Sequence, residues 1–567
     1  MNPRRRWFRQ LPLIALLAAL LITSASVFAQ STNRQIGTQF TVTADPLVPR
    51  PPEQPCVVPL FANYQFAYFS QSEQTFAFTP PDDCAGPWEK VVFEADFSEN
   101  GGIQFDRTPI LWLANANIYF GTTPEPLPAL TNTWHVERDI TDYSALLTAP
   151  QQGLIFLQNC TTDCPPPYNS FLNGVFTVNA DLEFYPARHH HGNWDGRDHR
   201  TPDQVLPLVS PGGNPVLLSS PSDQLSTTFT LPTNSERAYL DVIAQSQSTD
   251  ETWWGCFPND LANINEVYGC GNTNFRESEI TIDGQLAGIA PVSPWVFTGD
   301  LPDDWVPIPG NQTLEFVPYR VNLTPFAALL SNGQPHTIAL SVFNDDDYFS
   351  VSASLLLFLD PWSAQVTGAV TENTLTSPSP VVTEKLHGTA TVKGTIGVES
   401  NRSYTIAGYV NTSHGKVTTS ISQQQNFSST EKIDFDTVNY TVLDQDTSLQ
   451  TSLSSQTTVS SAAGKFTTSE LWSFPFTARL IYPVSSAPFG YTQAFDQIYS
   501  TSRQLSLNGY VFYSNALTNQ VKSTDVSPTW SWQQYTFVDS DGASYDCHIA
   551  SKNAVLTSVS RGCKQGE

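Results

Sequence analysis

Alternation of apolar and polar residues with a period of two constrains this chain more than any other feature. The string Val91-Val92-Phe93-Glu94-Ala95-Asp96-Phe97 alternates, residues 110–113 form an apolar run of buried-strand length, and residues 153–156 and 175–185 repeat the theme. Such runs place every second side chain on one face of a strand. Asn100-Gly101-Gly102 and Asp283-Gly284 supply turns, the second of them a hairpin dipeptide. Strand-like strings resume at Tyr239-Leu240-Asp241-Val242, Ile280-Thr281-Ile282, residues 336–342 and residues 351–359. Between them Asn322-Leu323-Thr324-Pro325-Phe326 starts a short helical turn with proline at an early position. Composition closes off the helical alternative. Only 14% of residues are charged, and helix surfaces need Lys, Glu and Arg. Forty-two prolines and 12% aromatic residues fit strands joined by turns, and 40% hydrophobic residues are enough to build cores. The expected class is all-β, with antiparallel sandwiches.

The N-terminus sets the compartment. Arg4, Arg5, Arg6 and Arg9 precede an apolar run at residues 11–22, and Val27-Phe28-Ala29 offers a cleavage site. This reads as a secretory signal peptide, because a run of 12 residues is too short to span a bilayer. No later segment is apolar enough to span, so no stable membrane span is expected after signal removal. Losing the four arginines takes the formal charge from −26 to −30, and a surface that acidic repels phosphate backbones, so no nucleic-acid partner is expected. Eight cysteines agree with export. Nearest-neighbour pairing, one of 105 possibilities, gives Cys56-Cys84, Cys160-Cys164, Cys256-Cys270 and Cys547-Cys563. Seven N-x-S/T sequons, including Asn159 and Asn311, are candidate glycosylated loops. The division expected is a signal peptide at 1–29, a linker at 30–54, an N-terminal β-sandwich at 55–203, a second β-sandwich at 204–361 and a Ser/Thr-rich C-terminal β-rich region at 362–567.

Several strings could carry chemistry. In Gln104-Phe105-Asp106-Arg107 an acid stands beside an arginine ahead of the apolar run at 110–113. Arginine can hold such an acid ionised, although neighbouring strand residues point to opposite faces and a structural ion pair is the plainer reading. In Asp250-Glu251-Thr252-Trp253-Trp254-Gly255-Cys256 carboxylates adjoin paired tryptophans. That suits a sugar platform, or core aromatics flanking a disulfide. In Arg276-Glu277-Ser278-Glu279 the two glutamates share one strand face, or decorate an exposed strand start. His189-His190-His191 with Asp195, Asp198 and His199 offers metal ligands, but three consecutive histidines cannot all reach one ion from a strand. Asn344-Asp345-Asp346-Asp347 is acidic enough for calcium yet lacks EF-hand spacing. No metal site and no cofactor are expected.

An ordered set of strings gives these candidates a common setting. Gly121-Thr122-Thr123-Pro124-Glu125-Pro126 is followed by Trp134-His135-Val136-Glu137-Arg138-Asp139-Ile140-Thr141-Asp142-Tyr143. Then come Phe275-Arg276-Glu277, Ile282-Asp283-Gly284-Gln285-Leu286-Ala287-Gly288, Pro318-Tyr319-Arg320-Val321-Asn322-Leu323-Thr324-Pro325-Phe326, Gly333-Gln334-Pro335-His336-Thr337 and Leu355-Leu356-Leu357-Phe358-Leu359-Asp360. The set resembles the peptide-N4-(N-acetyl-β-glucosaminyl)asparagine amidase A family of secreted peptide N-glycanases, firmly over residues 59–360. The resemblance implies tandem jelly-roll-like sandwiches and hydrolysis of the amide between the innermost GlcNAc of an N-glycan and asparagine. It implies N-glycosylated peptides and glycoproteins as partners, an acidic working range and no cofactor. A bacterial N-glycanase with tandem jelly rolls carries a Trp-Asp-Arg string whose aspartate is central to catalysis, and here that string reads Phe105-Asp106-Arg107. Asp106 then handles the water or the leaving nitrogen's proton, Arg107 or Arg276 stabilises developing negative charge, and Glu277 or Glu251 is the second acid/base. Trp253, Trp254 and Trp112 become candidates for stacking on the chitobiose core. A glycoside hydrolase or a non-catalytic glycan-binding module on the same scaffold is the alternative. Secretion is implied, with soluble, vacuolar and cell-wall destinations open, as is the oligomeric state.

Overall fold

A computed structural model of the chain describes residues 41–125, 131–187, 200–210, 213–261, 270–296, 307–439, 441–482, 491–526 and 528–563. The leader, the first part of the linker and the histidine-rich string at 188–199 lie outside the described residues. The architecture is all-β: two sandwiches and one large sheet, with antiparallel pairing throughout their ladders.

In the first sandwich one sheet runs in the order Cys56–Phe66, Phe176–Pro186, Trp88–Glu99, Asn132–Asp139, and the other in the order Glu73–Phe78, Gln151–Leu157, Pro109–Leu113, Ala116–Phe120. Period-two patterning explains the layers. In Phe176–Pro186 the buried positions alternate, and Phe176, Val178, Ala180, Leu182 and Phe184 all enter one core with Phe93, Phe97, Leu111, Ile118 and Ile155. Arg138 breaks that rule at a core-facing position and finds an acceptor in place, its Nη1 donating to Asn117 Oδ1 at 3.0 Å. A buried arginine without such an acceptor would be costly.

The second sandwich pairs Val216–Leu218, Tyr348–Leu359, Ser235–Gln247 and Tyr319–Asn322 in one sheet, with Gln204–Pro207 also on Tyr348–Leu359. Its other sheet runs Leu225–Phe229, His336–Phe343, Glu277–Ile282, Gln285–Pro291. The expected hairpin is present: Ile282 faces Gln285, and Asp283 and Gly284 take φ of 51° and 78°, as a two-residue type I′ turn requires. The expected helical turn is Thr324–Phe326, continuing into Ala327–Leu330.

The C-terminal region is a single eleven-stranded sheet, a meander from Thr367–Asn373 to Val555–Val559 with Val381–His387 added beside Thr391–Thr412. Two of its strands have 22 residues, about 70 Å each at the usual rise. It packs on the second sandwich: Phe427, Phe435, Leu449, Phe476 and Phe495 belong to the same core as Trp254, Phe275 and Ile280. Much of that seam is made by amides. Gln497 Nε2 donates to Pro294 O at 2.7 Å and Gln445 Nε2 to Gly255 O at 3.3 Å, while elsewhere on the sheet Gln533 Oε1 accepts from Ala44 N, ahead of the first sandwich, at 2.7 Å.

All four nearest-neighbour disulfides form. Two sequons are not surface loops: Asn159 and Asn311 are buried, their Nδ2 groups donating to Phe66 O and Asn519 O at 2.8 Å each. No helix among the described residues is long and apolar enough to cross a membrane.

Candidate active site

Asp106 sits on the loop that links Trp88–Glu99 to Pro109–Leu113, at the rim of the first sandwich where it meets the second. The meeting is built from two kinds of contact. Ile110, Trp112 and Phe120 from the first sandwich pack with Ile243, Trp295 and Phe316 from the second. Just above that plug, Gln247 Nε2 donates to Thr108 Oγ1 at 2.9 Å and to Gln245 Oε1 at 2.6 Å. Thr108 is two residues from Asp106, and Gln247 ends the strand that leads into Ser248–Asp250 and Glu251. The two loops are thereby laced together.

Tyr348, paired with Gln247 across the sheet, marks the convergence. Burial raises its pKa first, and the charges of Asp347, Glu251 and Asp106 raise it further. One phenol therefore feels an aspartate from the first sandwich and a glutamate from the second. Asp106 and Glu251 are both only partly buried. Burial pushes the Asp106 carboxyl up to about 6 against the pull of Arg107. Arg107 donates from Nη2 to Gln104 Oε1 at 2.8 Å, while its Nε is a buried donor with no acceptor. Burial pulls its guanidinium down, and Asp106 and Glu125 pull it back up.

Two further acids surround this centre. Glu125 Oε1 accepts the backbone N–H of Asp106 at 2.7 Å. Glu99 is wholly buried with both carboxylate oxygens unpartnered, and burial, reinforced by Glu125, pushes it up to about 8. Gly174 is what makes room for it, since a Cβ there would come within 2.4 Å of Glu99 Oε1. Glu99 was legible in principle: Phe93, Ala95, Phe97 and Glu99 share one strand face, so an acid two residues beyond Phe97 points into the core. Nothing in the sequence singles out Tyr348.

The segment carrying Glu251 is held from behind. Asp250 is wholly buried; its Oδ1 accepts Arg276 Nε and Nη2 at 2.9 and 2.7 Å, and its Oδ2 accepts the N–H groups of Asp346 and Asp347 at 2.6 and 2.8 Å. Ser248 takes a left-handed φ of 55° to start this turn. The Asn344–Asp347 string thus offers its amides to an aspartate. Arg276 is consumed in the same knot, donating also to Thr273 O and Gly271 O at 2.7 and 3.2 Å, with its side chain fully buried.

Other expected site residues lie elsewhere. Glu277 is fully buried and bound by Arg402 of the C-terminal sheet; burial pushes it up to about 7, and its charged neighbours are Arg402 and Glu279. The expectation that three tryptophans stack on sugar needs correcting. Trp253 and Trp254 are 0% exposed, with Trp254 wedged against Phe476 and Phe495, and Trp112 belongs to the plug between the sandwiches. Paired aromatics next to a disulfide serve the core here. Among the described residues, one group has metal-ligand spacing, Glu94, His135 and Glu137, and Arg50 already bonds Glu137 there.

A family model described as peptide N-acetyl-β-D-glucosaminyl asparaginase amidase A matches residues 46–376, more than half of the chain. The chain belongs to that family. A similar protein is the peptide-N4-(N-acetyl-β-glucosaminyl)asparagine amidase A of Prunus dulcis, 29% identical over 394 residues that make up 67% of this chain and 66% of the almond protein. The match thus spans just under two thirds of that relative's length. Among solved structures, PNGase F, a glycosylasparaginase from Flavobacterium meningosepticum, is 14% identical with a TM-score of 0.34, covering 54% of this chain and 96% of its own. A peptide-N(4)-(N-acetyl-β-D-glucosaminyl)asparagine amidase is 15% identical with a TM-score of 0.35 and the same coverage. Within the amidase A region of this chain lie both sandwiches, Asp106, Glu251 and three of the four disulfides.

Proposed function

We propose that this protein is a peptide N-glycanase. It hydrolyses the amide between the innermost GlcNAc of an N-glycan and its asparagine, leaving aspartate and a glycosylamine that loses ammonia in water. The observation that carries the reading, beside family membership, is the tie between the loop of Asp106 and the strand that runs into Glu251, Gln247 Nε2 donating to Thr108 Oγ1 at 2.9 Å across the two sandwiches. The Glu251 carboxylate takes a proton from the attacking water as its oxygen bonds to the amide carbon. The oxyanion that forms is met by the guanidinium of Arg107. Asp106, lifted into the range where it is protonated in mild acid, gives its proton to the nitrogen as the C–N bond breaks. Arg276 positions Glu251 through Asp250, and Glu277 secures the second sandwich to the C-terminal sheet. The catalytic halves are the sandwiches at 55–203 and 204–361. N-glycosylated peptides and glycoproteins are the substrates. Four disulfides suit work outside the cytosol, as a secreted enzyme.

Mass spectrometry of one treated glycopeptide tests the reading. The expected product carries Asp where Asn stood. Asn retained, bare or with one GlcNAc, would identify a glycoside hydrolase, and an untouched glycopeptide a binding module.

The pH profile follows from the acid role. Rate depends on the protonated fraction of Asp106, so kcat/KM should fall about tenfold per unit above a midpoint near 6. Because Arg107 holds Asp106 down, Arg107→Gln should move this limb to higher pH while lowering the rate. A limb that stays in place or moves to lower pH would take the acid role from Asp106.

A further inference from the structure

With the tryptophans enclosed, the exposed aromatic surface near Asp106 lies on its other side. Ile103, Phe105, Tyr168 and Phe171 are 39–43% exposed. The Phe105 ring meets Tyr168 edge-on at 5.8 Å between centroids, Tyr168 meets Phe171 at 5.9 Å, and the Arg107 guanidinium lies 5.9 Å from the Phe105 ring centre. These side chains stand on a stiff frame. Ile103 N donates to Asn173 Oδ1 at 2.7 Å, Asn173 N and Gly174 N donate back to Ile103 O at 2.9 and 3.0 Å, and Gln104 Nε2 donates to Cys160 O at 2.9 Å. Beneath them the Cys160–Cys164 disulfide packs on Leu172. The loop bearing Asp106 and the turn bearing Tyr168 and Phe171 therefore move as one.

We propose that this patch receives the apolar side chains of the polypeptide flanking the glycosylated asparagine. The inference rests on the amidase reading and assigns the two ends of that substrate to two sides of Asp106. On the second-sandwich side stand Thr108, Gln245, Gln247, Glu251, Asp347 and Tyr348, hydroxyls, amides and acids of the kind that bind sugar hydroxyls. On the aromatic side three of the side chains bordering the patch have oxygens already taken by backbone donors: Asn173 Oδ1 by Ile103, Asn100 Oδ1 by Val175, and Asp163 by Phe69 and Thr161. A pyranose laid there would find fewer partners for its hydroxyls than on the second-sandwich side, whereas Leu, Val or Phe loses nothing by contact with rings and Ile103. Phe105 and Asp106 are consecutive, so residues beside the scissile asparagine reach the patch without a long linker.

Synthetic glycopeptides with the same N-glycan and either Leu or Ser on both sides of the asparagine test this. Wild-type enzyme should favour the Leu-flanked peptide by about tenfold in kcat/KM, carried by KM, the scale of discrimination an apolar contact supplies. The ratio should fall to about one in Tyr168→Ser/Phe171→Ser, with Tyr168→Ser alone intermediate and the melting temperature checked for each. A ratio that persists in the double variant, or is missing in the wild type, overturns the proposal. So does a double variant that instead loses discrimination between a full glycan and a chitobiose stub on the Ser-flanked peptide, which would make the occupant a sugar. Dissociation constants of the same peptides on Asp106→Asn give the ratio without turnover, and equal constants overturn the proposal too. Failure of the wild type to release glycan from any peptide refutes the amidase reading instead, and the binding ratio still decides the patch.

Discussion

Asp106→Asn should lower glycan release by about a thousandfold or more while leaving the melting temperature at pH 5 at or above the wild-type value. A carboxylic acid that donates to a leaving nitrogen contributes on the order of 10²–10⁴ in rate, and asparagine has the shape but not the proton. Stability is spared because the site already favours the neutral form of the aspartate, burial having raised it to about 6. The two glutamates separate in the same assay. Glu251→Gln, in the loop that meets Asp106 at Tyr348, should also cost at least about a hundredfold in kcat. Glu277→Gln should leave kcat of the folded enzyme within about twofold and act on stability, since it weakens the hold of the buried position 277 on the partly buried Arg402. Equal losses from the two glutamine variants, or near-wild-type release by Asp106→Asn, would dismantle the proposed centre.

Stability should fall as pH rises from about 5 to 8. Glu99 and Glu315 are both raised to about 8, chiefly by burial, and Glu431, in the seam with the C-terminal sheet, is raised well above its ordinary value for the same reason. Each folded-state pKa lies above the unfolded one, so the native state holds more protons between the two. The contribution is whole below the ordinary carboxylate range near 4.5 and is lost as pH climbs through the folded value. Each such group adds a slope of at most about 1.4 kcal/mol per pH unit, and together they should lower the melting temperature by about 5 °C or more between pH 5 and pH 8. Glu99→Gln should flatten that slope. A melting temperature that rises over this interval would contradict the prediction.

The sandwiches were legible because their strands obey period two with large apolar residues, as in Phe176–Pro186, and because Asp283-Gly284 fixes its hairpin by local chemistry. The extent of the C-terminal sheet was not. Its strands alternate Ser, Thr and Gln with small apolar residues, and buried positions such as Gln445, Thr447, Thr451, Gln497 and Gln533 read as surface until the partner across the seam is known. The site divides along the same line. The proposed roles of Asp106 and Arg107 start from a short string and a resemblance. The preference for Glu251 over Glu277 that we propose was not open to the sequence, because it depends on which loop crosses to the first sandwich, and that is set by contacts between residues more than 100 positions apart, such as Thr108 with Gln247. The tryptophans were misplaced for a related reason: an aromatic pair beside an acid looks alike whether it faces solvent or a second layer.

Trp254 follows Glu251 by three residues, and its indole is clamped by Phe476 and Phe495 from the far sheet, while Gln445 grips Gly255. Dissecting the gene after residue 361 would therefore not yield a minimal amidase. It would strip the backing from the strip of chain that aims one carboxylate, leaving a hydrophobic scar where the sheet had been. The last two hundred residues behave as an anvil, and wear on it would register as lost precision at the proposed reaction centre.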